Sequence, residues 1–196
     1  MKGSGKIRYY GIALGPAIGW LYEGVNCIRQ RDITSVQHIY NMLEQHPGRA
    51  FRDTATETGK DTMFLIRVTH SSGMLEGKYT AETKFPPTDH RSHRPRSWLL
   101  NGVKKVEQLR FLENAERTLG QAALQWLLAD DRVASTLPNI YNEEQLVEFA
   151  NAPDTAPLTS DEMAKIEELY SVNFGVEEES PKFKGTMELP KETAAA

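Results

Sequence analysis

Four short apolar segments, each followed by a stretch of helical periodicity, decide what this chain can fold into. The segments are Ile7–Ala13 (IRYYGIA), Val36–Tyr40 (VQHIY), Met63–Val68 (MFLIRV) and Val133–Leu137 (VASTL). Short runs with little polar alternation read as strands buried on both faces. Helix-like stretches cover Trp20–Gln30, Gly48–Thr58, Trp98–Leu112, Thr118–Ala129, Glu143–Asn151 and Ser160–Tyr170. The order β-α-β-α-β-loop-αα-β-α-α predicts the α/β class, with a parallel sheet and helices outside it. The candidates are an open doubly wound sheet and a piece of a (β/α)8 barrel.

Val133 to Phe149 shows the repeating unit most clearly. Pro138 offers no ladder donor and stops the strand. Asn142 is placed to cap a helix whose first turn holds Glu143 and Glu144, where carboxylates suit the positive end. Leu146 and Phe149, three apart, are expected on one helical face. Such a strand-turn-helix leaves backbone N–H groups free for an anion. Every α/β protein has such turns, so the plain reading is a structural βα unit. Elsewhere Trp20, Leu21, Val25 and Ile28 fall at helical spacing, and Gly59 ends the Gly48–Thr58 stretch. Leu119, Ala122, Ala123, Trp126 and Leu127 mark one side of the next amphipathic stretch. Leu158 to Glu162 reads as a helix start, but Ser160 with Met163 does not make a full capping box.

With 196 residues the chain fits one domain or a large fragment of one, long enough to bury a core without staples. The 23 basic and 27 acidic side chains leave a net charge of −4, which gives no reason to expect nucleic acid. His90–Arg96 (HRSHRPR) is basic but holds no aromatic residue, and reads as a loop. The one cysteine, Cys27, permits no internal disulfide and points to a reducing cytoplasm. No apolar run approaches the ~18 residues of a membrane span, and no apolar segment follows Met1–Lys6 as a signal peptide requires. A soluble cytoplasmic protein is expected. Residues 177–196 are polar and are expected to be mobile, leaving 1–176 as the ordered unit.

Gly11-Ile12-Ala13-Leu14-Gly15 is not a dinucleotide-type glycine fingerprint, and no phosphate-loop motif is present. The second and third apolar segments each carry one polar interruption, Gln37 and Arg67. Barrels place ligand contacts near the carboxyl ends of such strands. The plain alternatives are a cross-strand hydrogen bond for Gln37 and an ion pair with a helix carboxylate for Arg67. The run from Arg67 to Tyr79 (RVTHSSGMLEGKY) follows a strand directly and offers hydroxyls, two glycines and Lys78. Backbone N–H groups, hydroxyls and an ammonium suit a pyrophosphate, though Lys78 reads equally as a solvated surface residue.

Six stretches in order, GKIRYYGIA, VQHIYNMLE, RVTHSSGMLEGKY, FPPTDHR, RTLGQAALQWLLAD and LPNIYNEEQL, resemble the carboxyl-terminal half of the aldo-keto reductases, from about Gly5 to Tyr170. The resemblance implies a (β/α)8 barrel of which this chain holds strands five to eight, four βα units. It implies NAD(P)H-dependent carbonyl reduction and a cofactor site. Gln37 matches the glutamine that bonds the nicotinamide carboxamide. Arg67 occupies the position where many members place a tyrosine against the ring, and an arginine followed by Val68 is a known bacterial variant. Thr69, Ser71, Gly73 and Lys78 fall on the loop that wraps the pyrophosphate, and Arg91 is placed to reach the same phosphates. Asn139, Gln145 and Glu148 fall on the adenosine-phosphate positions.

Departures qualify that implication. The Ser-Asn pair expected after strand five is Ala13-Leu14. The usual basic residues for a 2′-phosphate are Asn139 and Gln145, and an adenine-binding asparagine is Phe149, so little preference for NADP over NAD is implied. The family's Asp, Tyr, Lys and His tetrad belongs to the other half of the barrel, and no residue here matches it. Tyr9, Tyr10, His38, His70 and Lys78 lie at none of those positions; His70 reads as a loop residue and His38 as a packed strand histidine. No catalytic residue and no metal ligand is therefore assigned. The expected partners are a nicotinamide dinucleotide and either an amino-terminal half-barrel or a second copy of the chain. The competing reading is a non-catalytic nucleotide-sensing or interaction module, or an inactive truncated product.

Overall fold

The computed structural model describes residues 2–15 and 18–177; the carboxyl-terminal segment expected to be mobile lies, apart from Glu177, outside the described residues. Four strands, β1 (Gly11–Ala13), β2 (Ser35–Ile39), β3 (Met63–Arg67) and β4 (Val133–Leu137), form one parallel sheet in the order β1-β2-β3-β4. The helices are α1 (Leu21–Gln30), α2 (Gly48–Glu57), α3 (Arg96–Gln108), α4 (Leu119–Leu128), α5 (Glu143–Ala150) and α6 (Ser160–Ser171). Strand order follows chain order with no reversal. A doubly wound sheet needs a reversal, whereas a (β/α)8 barrel does not.

The period of two along each strand separates the faces. One face sends Val36, Phe64 and Ile66 into a core with Leu21, Val25, Ile28, Phe51, Ala55 and Leu127 of α1, α2 and α4. Helices α1 and α2 pack closely because Gly24 has no side chain: a Cβ there would stand 2.3 Å from the Phe51 ring. The other face carries Ser35, Gln37, Met63, Leu65 and Arg67, all half-buried, and Gly11, Ala13, Ser135 and Leu137, all exposed. This inner face is only partly covered. A second core beneath the long β3–α3 connection joins Met42, Met74, Leu75, Leu99, Leu109, Leu119 and Ile166. It supports the loop that leaves β3.

Several expectations need correction. Residues 7–10 are not strand; Tyr9 and Tyr10 are exposed and only Gly11–Ala13 pairs, with β2 alone. Strand β4 has the predicted limits but is not buried on both faces. Among the described residues it pairs only with β3, and Ala134, Ser135 and Leu137 are exposed. A short apolar run does not by itself tell an edge strand from a central one. On α5 the buried pair is Gln145 and Phe149, four apart, while Leu146 is 50% exposed. Helix α6 does have a capping box, built one residue earlier than expected by Thr159 and Glu162.

Candidate functional site

The carboxyl end of the inner face brings Gln37 and Arg67 to the same side of adjacent strands. Gln37 pairs in register with Leu65, and Ile39 with Arg67, so the two polar side chains flank one apolar pair. No hydrogen bond engages the Gln37 carboxamide among the described residues, which leaves both its donor and its acceptor for a ligand. Arg67 finds no carboxylate among the described residues. Its Nη2 donates to the carbonyls of Leu14, at 3.0 Å, and Gly15 in the β1–α1 connection. Its Nε–H is buried without an acceptor among the described residues, and burial holds its pKa below the ordinary arginine value. Leu14, Gly15, Ile18, Gly19, His38, Ile39 and Pro47 line a small cleft with it.

After Arg67 the backbone turns abruptly. Val68, Ser71, Ser72 and Gly73 all have positive φ, at 58°, 48°, 58° and 89°. A β-branched residue there costs on the order of 1–3 kcal/mol and persists only where its surroundings hold it. Here two donors fix the Val68 carbonyl: the Asn41 side-chain amide and the Ser71 N–H, each at 2.9 Å. Asn41 is fully buried, and its oxygen accepts the Leu43 N–H. A trans peptide sets N–H opposite to C=O, so a pinned Val68 carbonyl also sets the direction of the Thr69 N–H. Successive reversals of this kind make concave arrays of N–H groups suited to anions. The hydroxyl-bearing residues Thr69 and Ser71 are themselves buried. His70 lies in the loop, as read, and is buried there: it stacks on Phe149, centroids 4.4 Å apart, with Nε2 3.0 Å from the Gly120 carbonyl. Burial lowers its pKa.

The loop closes onto two further elements. Tyr79 donates to the Ser72 carbonyl and receives a hydrogen bond from Arg91. A Cβ on Gly73 would lie 2.4 Å from the Tyr79 hydroxyl. Arg91 is fastened to Asp89, whose hydrogen bonds from Arg91 hold the carboxyl down at about 2. Its guanidinium also lies 5.8 Å from the Tyr141 ring centroid, beyond β4. Gln145 is buried, with Nε2 donating to Glu76 at 2.8 Å and Oε1 accepting the Tyr141 N–H at 2.8 Å. Asn139 is exposed and donates to the Tyr141 hydroxyl. Glu148 accepts from Thr118, the α4 cap, at 2.6 Å. The largely exposed Lys78 lies 4.0 Å from both Glu76 and Glu148. The eleven positions picked out from the sequence thus divide in two. Gln37, Arg67 and the start of the loop lie at the inner face, while Lys78, Arg91, Asn139, Gln145 and Glu148 form a rim around the start of α5.

The Aldo/keto reductase family model matches residues 1–171. This chain belongs to the aldo/keto reductase family. It is 29% identical over 178 residues to the L-glyceraldehyde 3-phosphate reductase of Escherichia coli K12, a match covering 84% of this chain and 50% of that protein. The fold agrees with an aldo-keto reductase from Bacillus halodurans, at TM-score 0.61 and 24% identity over 86% of this chain and 53% of that one. It also agrees with a glycerol dehydrogenase from Gluconobacter oxydans, at TM-score 0.68 and 18% identity over 93% and 54%. An aldo/keto reductase from Klebsiella pneumoniae in complex with NADP and acetate gives TM-score 0.59 and 16% identity over 96% and 54%. The chain spans about half the length of the relatives it matches.

Within this aldo/keto reductase chain the sequence reading missed Asn41, Glu76, Tyr79, Asp89, Thr118 and Tyr141. Glu76 stands between the two glycines of a loop that was weighed for its hydroxyls, its glycines and Lys78 alone. Asn41 directly follows the apolar segment of β2, a place where a buried amide is a warning that some backbone needs holding.

Proposed function

We propose that this chain supplies the nicotinamide dinucleotide cradle of an aldo/keto reductase, as the four carboxyl-terminal βα units of its barrel. Carbonyl reduction then needs the rest of the barrel, which brings the proton donor. The observation that carries the reading is the unengaged Gln37 carboxamide beside Arg67 on a half-open sheet face, at the mouth of an N–H-rich loop. A bound reduced nicotinamide supplies a hydride. On this reading Gln37 pairs with the ring carboxamide and sets which face of the ring looks inward. Arg67 offers a planar guanidinium to the ring or its amide. Val68 to Gly73 present N–H groups to the pyrophosphate, with Lys78 and Arg91 near. Asn139, Gln145 and Glu148 surround the adenosine end.

The inner face argues for a second body. Among the described residues it carries no Asp, Glu, His, Lys or Tyr; Arg67 is its sole ionisable group. Proton transfer to a developing alkoxide needs a donor of suitable pKa within hydrogen-bond reach. His38 cannot serve, because it points into the helix-side core between Phe51 and Phe64. The completing body is an amino-terminal half-barrel or a second copy of the chain. A small phosphorylated aldehyde is the substrate class to assay first, given the reductase it resembles in sequence. The second reading, a non-catalytic nucleotide sensor, draws on Ala13-Leu14, which give the carboxamide no side-chain partner from β1.

The test is a thermal melt of the purified chain followed by tryptophan fluorescence, with NADH and then NADPH. A ligand at a hundred times its dissociation constant adds about 2.7 kcal/mol, so a rise of several degrees is expected with at least one. No rise with either removes the cradle. A rise, with no aldehyde-dependent loss of absorbance at 340 nm (the reduced-nicotinamide band) until an amino-terminal half-barrel is added, separates the enzyme half from the sensor.

A further inference from the structure

We infer that the rim around α5 is set for an unphosphorylated ribose, with Glu148 and Glu76 selecting NAD over NADP. The inference rests on the cradle reading and adds the choice of cofactor to it. A 2′-phosphate is a dianion and needs cations or free donors. Every cation on the rim is already balanced. Arg91 is bound to Asp89 through Nε and Nη2. Lys78 stands 4.0 Å from each of two carboxylates, Glu76 and Glu148, so this group of three carries a net negative charge. Each rim amide, neutral in any case, has one of its two N–H donors engaged. Gln145 gives its Nε2 to Glu76, and Asn139 turns its own to Tyr141. The positive end of α5 meets Glu143 and Glu144 in its own first turn.

A ribose diol meets the opposite situation. Glu148 uses Oε1 for the Thr118 hydroxyl, and among the described residues its Oε2 has only the distant Lys78. A carboxylate oxygen in that state accepts from a hydroxyl and repels a phosphate. Glu76 adds to the repulsion from behind, where Gln145 holds it in place. Lys78 is the single group able to favour the phosphate, and its charge is outnumbered.

The test reads the adenosine end alone, by titration calorimetry of the full chain with ADP-ribose and with 2′-phospho-ADP-ribose. Wild type is expected to bind ADP-ribose more tightly by about tenfold or more, the equivalent of one like-charge contact. Glu148→Gln keeps an acceptor for Thr118 and is expected to cut that ratio at least threefold, with Glu76→Gln acting in the same direction. Raising the salt should narrow the ratio as well, since it screens the carboxylates. A wild-type ratio near one or favouring the phosphorylated ligand overturns the inference, whatever the variants do. So does a ratio that neither substitution moves. Failure to bind either compound, with no cofactor response in the melt, removes the cradle and this inference together. A cofactor response with an unmoved ratio removes this inference alone.

Discussion

Val68 keeps its left-handed backbone because Asn41 keeps its carbonyl. Asn41 has no exposed surface and uses both ends of its amide: Nδ2 to the Val68 carbonyl and to Glu44, and Oδ1 to the Leu43 N–H. Asn41→Ala takes the acceptor from the Leu43 N–H and one of two donors from the Val68 carbonyl, both in part-buried contacts. Since an unsatisfied buried group costs about 1–3 kcal/mol, a loss of about 2 kcal/mol is expected in urea unfolding, with weakened cofactor response. A loss below about 0.5 kcal/mol would show that the loop holds itself. His38 gives a second prediction at this scale. Burial drops its pKa from 6.5 to about 4, with Nδ1 on the Ile39 carbonyl. The unfolded chain therefore binds this proton more readily, and stability is full above about pH 6.5 and falls as pH drops toward 4. At pH 5 the loss is about 2 kcal/mol. Unfolding of wild type and His38→Leu at pH 7 and pH 5 checks it: the gap between them should narrow at pH 5. His46 and His70, also lowered by burial, leave some slope in the variant. Such side chains show how far the sequence can be read. Gln37 and Arg67 were legible because a polar residue interrupts an apolar strand. Val68 was not, because strain at one φ is decided by what surrounds it.

Among the elements, α6 shows which ion pairs carry weight. Glu162 closes the α6 capping box through the Thr159 N–H at 2.7 Å and also receives Arg117, whose side chain is 2% exposed. Glu167, further along, pairs with Arg49 at the surface. Breaking a buried pair costs about 3–5 kcal/mol, whereas an exposed one is worth under about 1. Arg117 keeps the Leu112 and Ala156 carbonyls when its carboxylate is removed, so Glu162→Ala should cost about 3 kcal/mol and Glu167→Ala less than about 1. Glu162→Gln, which can still close the box, should fall between. Equal costs for the two alanine variants in guanidinium unfolding would show that burial is not what matters here. The capping residues were all present in the sequence. Thr159 was passed over for Ser160 because the two adjoin and both can cap, and only Glu162, three residues after Thr159, decides between them. The limits of β4 were legible for a simpler reason, since Pro138 stops it. The late start of β1 was not, because Tyr9 and Tyr10 have high strand propensity, yet of the two, among the described residues, only the Tyr10 carbonyl is paired, with the Thr34 N–H just before β2.

In the whole molecule the sheet ends at two unpaired edges. Strand β1 pairs only with β2, and β4 only with β3, among the described residues. Exposed apolar side chains gather at both ends: Tyr9 and Tyr10 before β1, and Leu137, Ile140, Tyr141, Leu146 and Val147 along β4 and α5. Unpaired parallel edges of one sheet are templates for further strands, and a barrel removes both at once by closing. Parallel alternation was readable from the periodicity, but the choice of barrel over doubly wound sheet came from the resemblance of the six stretches and not from the periodicity. That choice lies in strand order, which local periodicity does not encode. The edge also predicts behaviour in solution. Without a completing body the chain should associate as its concentration rises, and a lysine at Leu137 should suppress this by putting a charge on the β4 edge. Leu137 is 42% exposed, so the substitution should leave stability within about 0.5 kcal/mol. Sedimentation velocity across a range of concentrations, on wild type and Leu137→Lys, reads the outcome. If the variant associates as readily as wild type, the β4 edge is not the contact, and completion must begin from β1 or from the inner face around Gln37 and Leu65. If it becomes monomeric and still responds to cofactor, the cradle and the associating edge are separable: these four βα units hold the dinucleotide by themselves, and β4 is where copies of the chain meet.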